Sequence, residues 1–244
     1  MNALVSRETW ELVSAPKDDV VGCRWVYTLK YRLDGSVDRY KARLVAKRYT
    51  QTNGVDYFET FSPVARLNSI QILLSVAVNM EWSLFHLDAK YAFLYRDLKE
   101  QVYMELPPRY IAQGENTVCT LRKAIYELKQ SPRAWFEKFS LVISGIGFAS
   151  HSDHSVFVRR TKSGSVILTV YLDDILLTGS DSVALAETKE YLKRHFVTKD
   201  MGKPRYFLEI EVAYQKHGLL LSQSIHLISL RKLACWGANL LALQ

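Results

Sequence analysis

Strand-like and helix-like stretches follow one another along this chain without regular alternation, and that pattern predicts an α+β fold. Three observations carry the prediction. A basic hairpin pattern runs from Arg24 to Lys47 around an Asp34-Gly35 turn. A second, apolar hairpin pattern over 165–177 contains two adjacent carboxylates. Helical spacing of apolar residues recurs at 69–82 and 182–196. With 244 residues the chain can bury a sizeable core, as one large domain or two subdomains. Its 48% hydrophobic and 23% charged residues exclude a disordered polymer.

Residues 1–21 read as a lead-in with a turn at 15–19, where Pro16 precedes Asp18-Asp19. Arg24 to Leu33 alternates and is rich in Trp, Val, Tyr and Leu, so it reads as a strand. Asp34-Gly35 turns the chain and Tyr40 to Lys47 returns. Eight Arg or Lys stand against two Asp between Gly22 and Thr50. Ile70, Leu73, Leu74, Ala77 and Val78 predict a helix over 69–82, capped by Asn68 or Ser69. Leu84 to Leu87 is short and apolar and ends at Asp88, and Ala89 to Leu98 reads as the start of a helix. Val102 to Leu106 is a strand closed by Pro107-Pro108. Ser131 or Pro132 opens a helix through Trp135, Phe136 and Phe139 toward Gly145. Strands follow at 153–160 and 165–177, then a helix at 182–196 and a strand pair at 206–221 around Lys216-His217-Gly218.

Lys and Arg number 32 against 25 Asp and Glu, a net +7 that suits a polyanionic partner but is also common on plain soluble proteins. Cys23, Cys119 and Cys235 are far apart, odd in number and match no zinc spacing. They read as thiols in a reducing compartment. No apolar run reaches 18 residues and the N-terminus lacks a signal-peptide core, so the expectation is an intracellular protein, cytoplasmic or nuclear, without a membrane partner.

Tyr171-Leu172-Asp173-Asp174 sets two like charges between the apolar runs 166–170 and 175–177, a cost that a divalent cation relieves. Oxygen-only ligands favour magnesium or manganese over zinc. On a regular strand, neighbouring carboxylates point to opposite faces. At a hairpin tip, at least one of them can meet a third carboxylate from another element. Asp88, at the end of an apolar segment, is the best third. Plainer readings stand beside these: Asp88 as a helix cap, and Asp173-Asp174 as a solvated turn. A metal-dependent nuclease shares such paired acids, and the three together name no substrate.

Seven short strings narrow the reading: 10–13 (WELV), 39–47 (RYKARLVAK), 57–64 (YFETFSPV), 87–94 (LDAKYAFL), 126–135 (YELKQSPRAW), 171–174 (YLDD) and 206–212 (YFLEIEV). Taken in this order, they make the chain resemble the reverse transcriptase of Ty1/copia-type LTR retrotransposons over most of residues 10–225. The resemblance implies a right-hand polymerase fold of fingers and palm, with an antiparallel palm sheet, packed helices, and a thumb absent or incomplete. Fingers would take 22–82 and 107–135, palm 83–106 and 136–212, and 213–244 would be the palm end and a divergent, truncated tail.

By the same resemblance, Asp88, Asp173 and Asp174 are the catalytic carboxylates. They hold two Mg²⁺ ions (Mn²⁺ as substitute) for attack of a primer 3′-hydroxyl on the α-phosphate of a deoxynucleoside triphosphate. Phe93 falls at an aromatic wall that clashes with a ribose 2′-hydroxyl; without the resemblance it reads as a core aromatic. Lys41, Arg43 and Lys47 alternate on one strand face, toward the triphosphate or the template backbone. Arg43 is the preferred triphosphate ligand because its planar fork holds two phosphate oxygens. A solvated charged face is the competing reading. Gln130 lies in the segment beneath the nascent base pair, with Lys129 and Arg133 on phosphates and Tyr171 on nucleic acid. The implied partners are an RNA or DNA template with a DNA primer, deoxynucleoside triphosphates, and RNase H and integrase regions of the same polyprotein, with a virus-like particle as one setting. The contrasting expectation is a catalytically inactive, nucleic-acid-binding retroelement remnant.

Some positions depart from the resembled pattern. Tyr91 stands where Asn is typical, Arg96 and Glu127 stand where Gly is typical, and Lys203-Pro204 and Glu209 interrupt the last block. A side chain at a glycine position costs on the order of 1 kcal/mol where the backbone needs positive φ. Glu127 also brings a negative charge near the expected polyanion track.

Overall fold

The computed structural model describes residues 1–223 apart from 17–19, 33, 111–115, 151–152, 209 and 216–217. Cys235, Glu209, the Lys216-His217 turn and the tail beyond Gln223 therefore lie outside the described residues. The fold is α+β with antiparallel sheets, as expected. The chain divides into two compact units, Met1–Ser62 with Tyr91–Leu141, and Pro63–Lys90 with Val142–Gln244.

In the first unit, Cys23–Tyr31 pairs with Val37–Ala46 as a two-stranded antiparallel ribbon. Its register sorts the side chains by face. Val26 opposes Arg43, Thr28 opposes Lys41 and Lys30 opposes Arg39, while Tyr27 opposes Ala42 and Leu29 opposes Tyr40. One face is therefore cationic and the other aromatic and apolar. Only the near end reaches a core, where Cys23, Leu44 and Ala46 pack with Val102, Met104 and Leu121. A three-stranded sheet orders Trp10–Ser14, Thr117–Lys123 and Asp97–Met104. The lead-in thus contributes a strand, and the segment after Pro108 supplies its partner. Burial pushes the Cys23 thiol up to about 11 and the Cys119 thiol up to about 12, as befits inert core thiols.

The helix expected from Ala89 does not form. Tyr91 takes φ +60° and a short 3₁₀ turn, Ala92–Tyr95, leads into the strand Asp97–Met104. A left-handed residue ends any α-helix that tries to pass through it. Arg7 stacks over Tyr91 at 5.1 Å and over Tyr95 at 5.0 Å, which fixes the turn from outside. Glu127 also sits at positive φ, +68°, whereas Arg96 is extended at φ −118° and pairs with Glu137 at 3.4 Å. Two departures from the resembled pattern are therefore strained and one is not. Glu127→Gly is expected to raise stability by about 1 kcal/mol, a gain of a few degrees in Tm on thermal unfolding. Arg96→Gly is expected to lower it.

In the second unit, six antiparallel strands run in the order Thr198–Gly202, Ser83–Ala89, Asp174–Gly179, Ser165–Tyr171, Val156–Arg160 and Ala149–Ser150. The central strand is buried from Ile175 to Gly179 because both faces of the sheet are covered. On one face, Leu84 and Leu176 pack with Ile70, Leu73 and Leu74 of the helix Leu67–Asn79, and with Phe207 and Ile210 of a three-stranded sheet (Tyr206–Phe207, Ile210–Gln215, Gly218–Gln223). The helix Ser182–His195 packs against the two central strands, and its Lys189 lies over the Phe85 ring at 4.0 Å. The helix Leu67–Asn79 thus has its core in this unit, although the resemblance groups it with the fingers, and Asp97–Met104 falls in the first unit.

Capping also differs from expectation. Neither Asn68 nor Ser69 caps the helix Leu67–Asn79, because both lie inside its first turn. Asp153 serves that end instead, accepting from Ser69 Oγ at 2.7 Å and from the Arg66 N–H at 3.4 Å. Burial alone raises the Asp153 carboxyl, but these donors and the Ser155 N–H hold it below its usual range. Asp181 caps Ser182–His195 in the ordinary way, through the Val183 and Ala184 N–H groups.

Candidate active site

Strand pairing brings the three expected carboxylates to one end of one sheet. Asp174 is the register partner of Asp88 across the central strands and the partner of Tyr171 across the hairpin. Directly opposed residues of an antiparallel pair share a face, with Cβ atoms about 4.5–5.5 Å apart. Leu172 and Asp173 form the two-residue tip, made possible by Leu172 at φ +48°. The Asp173 carbonyl accepts the Ala89 N–H at 2.7 Å, which ties the tip to the residue after Asp88. All three carboxylates are half-buried.

Asp174 already has a partner. His86, two residues before Asp88 on the same face, places Nε2 2.7 Å from Asp174 Oδ1, and its ring meets Phe207 edge-on at 5.5 Å. The donor set Asp88, Asp173 and Asp174 is all oxygen, half-buried and on adjacent backbones, which fits a hard divalent cation. Among the described residues, however, no three His, Cys, Asp or Glu side chains are gathered as a metal-holding set. The backbones are placed and the side chains are not closed; His86 keeps one oxygen of Asp174.

Beside this end of the sheet lies a cavity of about 480 Å³, lined by His86, Tyr171 and Asp174 together with Lys203, Arg205 and Tyr206. Sequence reasoning placed Tyr171 here but assigned nothing to His86, Lys203 or Arg205. Two cations next to a tyrosine and a carboxylate make a surface that can take a phosphate on one side and offer an acid on the other.

The expected nucleotide and nucleic-acid contacts of the first unit fall into two groups. Arg43 and Lys41 lie on the cationic face of the ribbon. The Arg43 guanidinium lies over the Tyr126 ring at 5.4 Å and its Nε is buried without a hydrogen-bond partner. Phe93, 9% exposed, packs against the same ring with the two planes nearly perpendicular. Lys47 lies just beyond the strand end; its stem lies against Gly22 and its ammonium faces Glu105 at 3.9 Å.

The other group is engaged internally. Gln130 is 1% exposed; its amide nitrogen donates to the Asp56 carbonyl at 2.9 Å and its oxygen accepts from Gln51 at 3.0 Å. Lys129 donates from Nζ to the Tyr57 hydroxyl at 3.0 Å and to the Gln51 carbonyl at 3.3 Å. Arg133 pairs with the buried Glu100 at 3.1 Å and lies 3.8 Å from Glu137. Burial alone raises the Glu137 carboxyl, but Lys99, Arg133 and Arg96 hold it below its usual range. These side chains tie the 51–57 loop and the strand Asp97–Met104 to the start of the helix Ser131–Ser144.

A family model described as "Reverse transcriptase (RNA-dependent DNA polymerase)" matches residues 7–236. The chain is 47% identical over 234 residues to a retrovirus-related Pol polyprotein from transposon RE1 of Arabidopsis thaliana, covering 94% of this chain and 16% of that protein. It is 38% identical over 220 residues to the Pol polyprotein from transposon TNT 1-94 of Nicotiana tabacum, covering 88% and 17%. The chain thus spans about a sixth of the length of these relatives. A foamy viral protease-reverse transcriptase in complex with double-stranded DNA superposes at TM-score 0.43 with 11% identity, over 90% of this chain and 33% of that one, a likeness too loose to carry weight.

Proposed function

Because this chain belongs to the Ty1/copia-type retrotransposon branch of the reverse transcriptase (RNA-dependent DNA polymerase) family, we propose that it supplies the fingers and palm of an RNA-directed DNA polymerase and transfers deoxynucleotides to a primer 3′-hydroxyl. The observation that carries the proposal is the register that sets Asp88 opposite Asp174, with Asp173 at the adjoining tip. Asp88, Asp173 and Asp174 are the residues that would hold divalent ions, with Asp174 turned from His86, and the ions would supply activation of the attacking oxygen and stabilisation of the leaving oxygen. In the second unit, Lys203 and Arg205 neutralise primer phosphates beside Tyr171. In the first unit, Arg43 grips the triphosphate, Lys41 its neighbour or the template backbone, and Phe93 walls the sugar. Gln130 and Lys129 act indirectly, by holding the 51–57 loop. Arg133 likewise serves through its ion pairs. Partners are an RNA or DNA template, a DNA primer and deoxynucleoside triphosphates, within a larger polyprotein. Among the described residues no helix is long and apolar enough to cross a membrane.

Purified chain incubated with a labelled DNA primer on an RNA template, deoxynucleoside triphosphates and Mg²⁺ is expected to lengthen the primer. Shortening would indicate a nuclease, and an unchanged primer would contradict the proposal. The His86–Asp174 contact and the strained Glu127 favour a second reading, a binding module that has lost its chemistry. In that second reading Arg43 meets the nucleic-acid backbone, so Arg43→Ala is expected to weaken primer-template binding and to reduce the slope of log affinity against log salt by about one, read by fluorescence anisotropy from low to moderate salt. An Arg43 given to the triphosphate leaves that slope unchanged, so the two readings part at the slope as well as at extension.

A further inference from the structure

Three side chains from separate parts of the first unit meet at one ring. The Phe93 ring, from the turn after Tyr91, stands nearly perpendicular to Tyr126, with centroids 5.0 Å apart and planes at 84°. The Arg43 guanidinium, from the basic ribbon, lies over Tyr126 at 5.4 Å. The backbone around Tyr126 is pinned on both sides. Its carbonyl accepts the Ala46 N–H at 3.0 Å, the preceding Ile125 carbonyl takes the Ser131 hydroxyl at 2.5 Å, and Glu127 follows in the left-handed region. The ring is therefore a fixed post, whereas Arg43 is a long side chain whose Nε has no hydrogen-bond partner. A guanidinium over a ring face is held by the ring quadrupole, and with its Nε buried it is the terminal Nη–H groups that are left for an anion.

We infer that Tyr126 is a positioning residue for the nucleotide. Its face sets the reach of Arg43 toward the triphosphate, and its contact with Phe93 sets the ring that faces the sugar. The inference rests on the polymerase reading and adds a coupling to it: grip on the phosphates and choice of sugar pass through one side chain. Loosening the ring must then disturb both together.

Single-turnover incorporation of dCTP and CTP by the chain on a primed template tests this. Tyr126→Leu is expected to weaken dCTP binding about tenfold and to lower the preference for dCTP over CTP by about the same factor. Tyr126→Phe keeps the aromatic face and is expected to stay within about twofold of wild type in both. A merely structural role would lower the active fraction and leave both quantities, measured per active molecule, unchanged; that result overturns the inference with the polymerase reading intact. If the wild type incorporates nothing, the polymerase reading falls, and the Arg43 Nε–H resonance in the NMR spectrum decides the inference alone. A ring-current shift that disappears in Tyr126→Leu, and a resonance that moves on addition of dCTP, uphold it. An unshifted resonance, or one indifferent to dCTP, overturns it.

Discussion

Asp173→Asn is expected to reduce primer extension by on the order of 10³-fold while leaving the fold and nucleic-acid binding near wild type. The size follows from the chemistry assigned to the site, since losing one carboxylate of a two-ion set removes several kcal/mol of transition-state charge stabilisation. The sparing of the fold follows from position. Asp173 lies at a hairpin tip, half-buried, and the group that ties the tip to Ala89 is its backbone carbonyl, which the substitution keeps. Asp88→Asn is expected to do the same. Extension timed on a denaturing gel, with thermal unfolding and anisotropy as controls, checks the pair. Equal extension by wild type and Asp173→Asn would remove these acids from the mechanism.

Gln130→Leu is expected to destabilise the first unit by roughly 2–4 kcal/mol. The substitution nearly conserves volume, so little of the cost comes from packing. It strands two buried polar partners, the Gln51 amide and the Asp56 carbonyl, each at about 1–3 kcal/mol. Gln51 itself receives the Lys129 N–H through Oε1, so the loss spreads along the 51–57 loop. Denaturant unfolding gives the magnitude, and hydrogen exchange is expected to show the 51–57 amides opening first. A change under about 0.5 kcal/mol would mean the bonds are dispensable.

The parts of this molecule that were legible in its sequence are those governed by local periodicity. The helix at 131–144 follows from the Ser131-Pro132 start and from Trp135 and Phe139, both buried. The basic hairpin follows from alternation and its Asp34-Gly35 turn. The acidic hairpin follows from two apolar runs, with its tip expected at Asp173-Asp174 and found at Leu172-Asp173, so that Asp174 opens the return strand. Asp88, Asp173 and Asp174 were visible as chemistry, costly acids at the ends of apolar runs, and pairing gave two of them a shared register. What stayed hidden depends on partners remote in the chain. His86 carries no sequence signal, and its tie to Asp174 exists only because two strands 88 residues apart are neighbours. Asp153 anchors the start of a helix that begins more than 80 residues earlier, through the Ser69 hydroxyl and the Arg66 N–H. Gln130 resembles a ligand-facing glutamine, but its buried partners Gln51 and Asp56 come from a loop more than 70 residues upstream. The Ala92–Tyr95 stretch looks helical by composition, and a left-handed Tyr91 stops the helix before it starts.

The central claim is that Asp88, Asp173 and Asp174 together hold divalent cations next to a primer end. Paramagnetic broadening by Mn²⁺, measured on backbone amides in the presence of primer-template and a deoxynucleoside triphosphate, tests it most directly. The expected result is broadening confined to residues near 86–89 and 171–176, and lost in Asp173→Asn. Broadening centred elsewhere, or none at millimolar Mn²⁺, would contradict it.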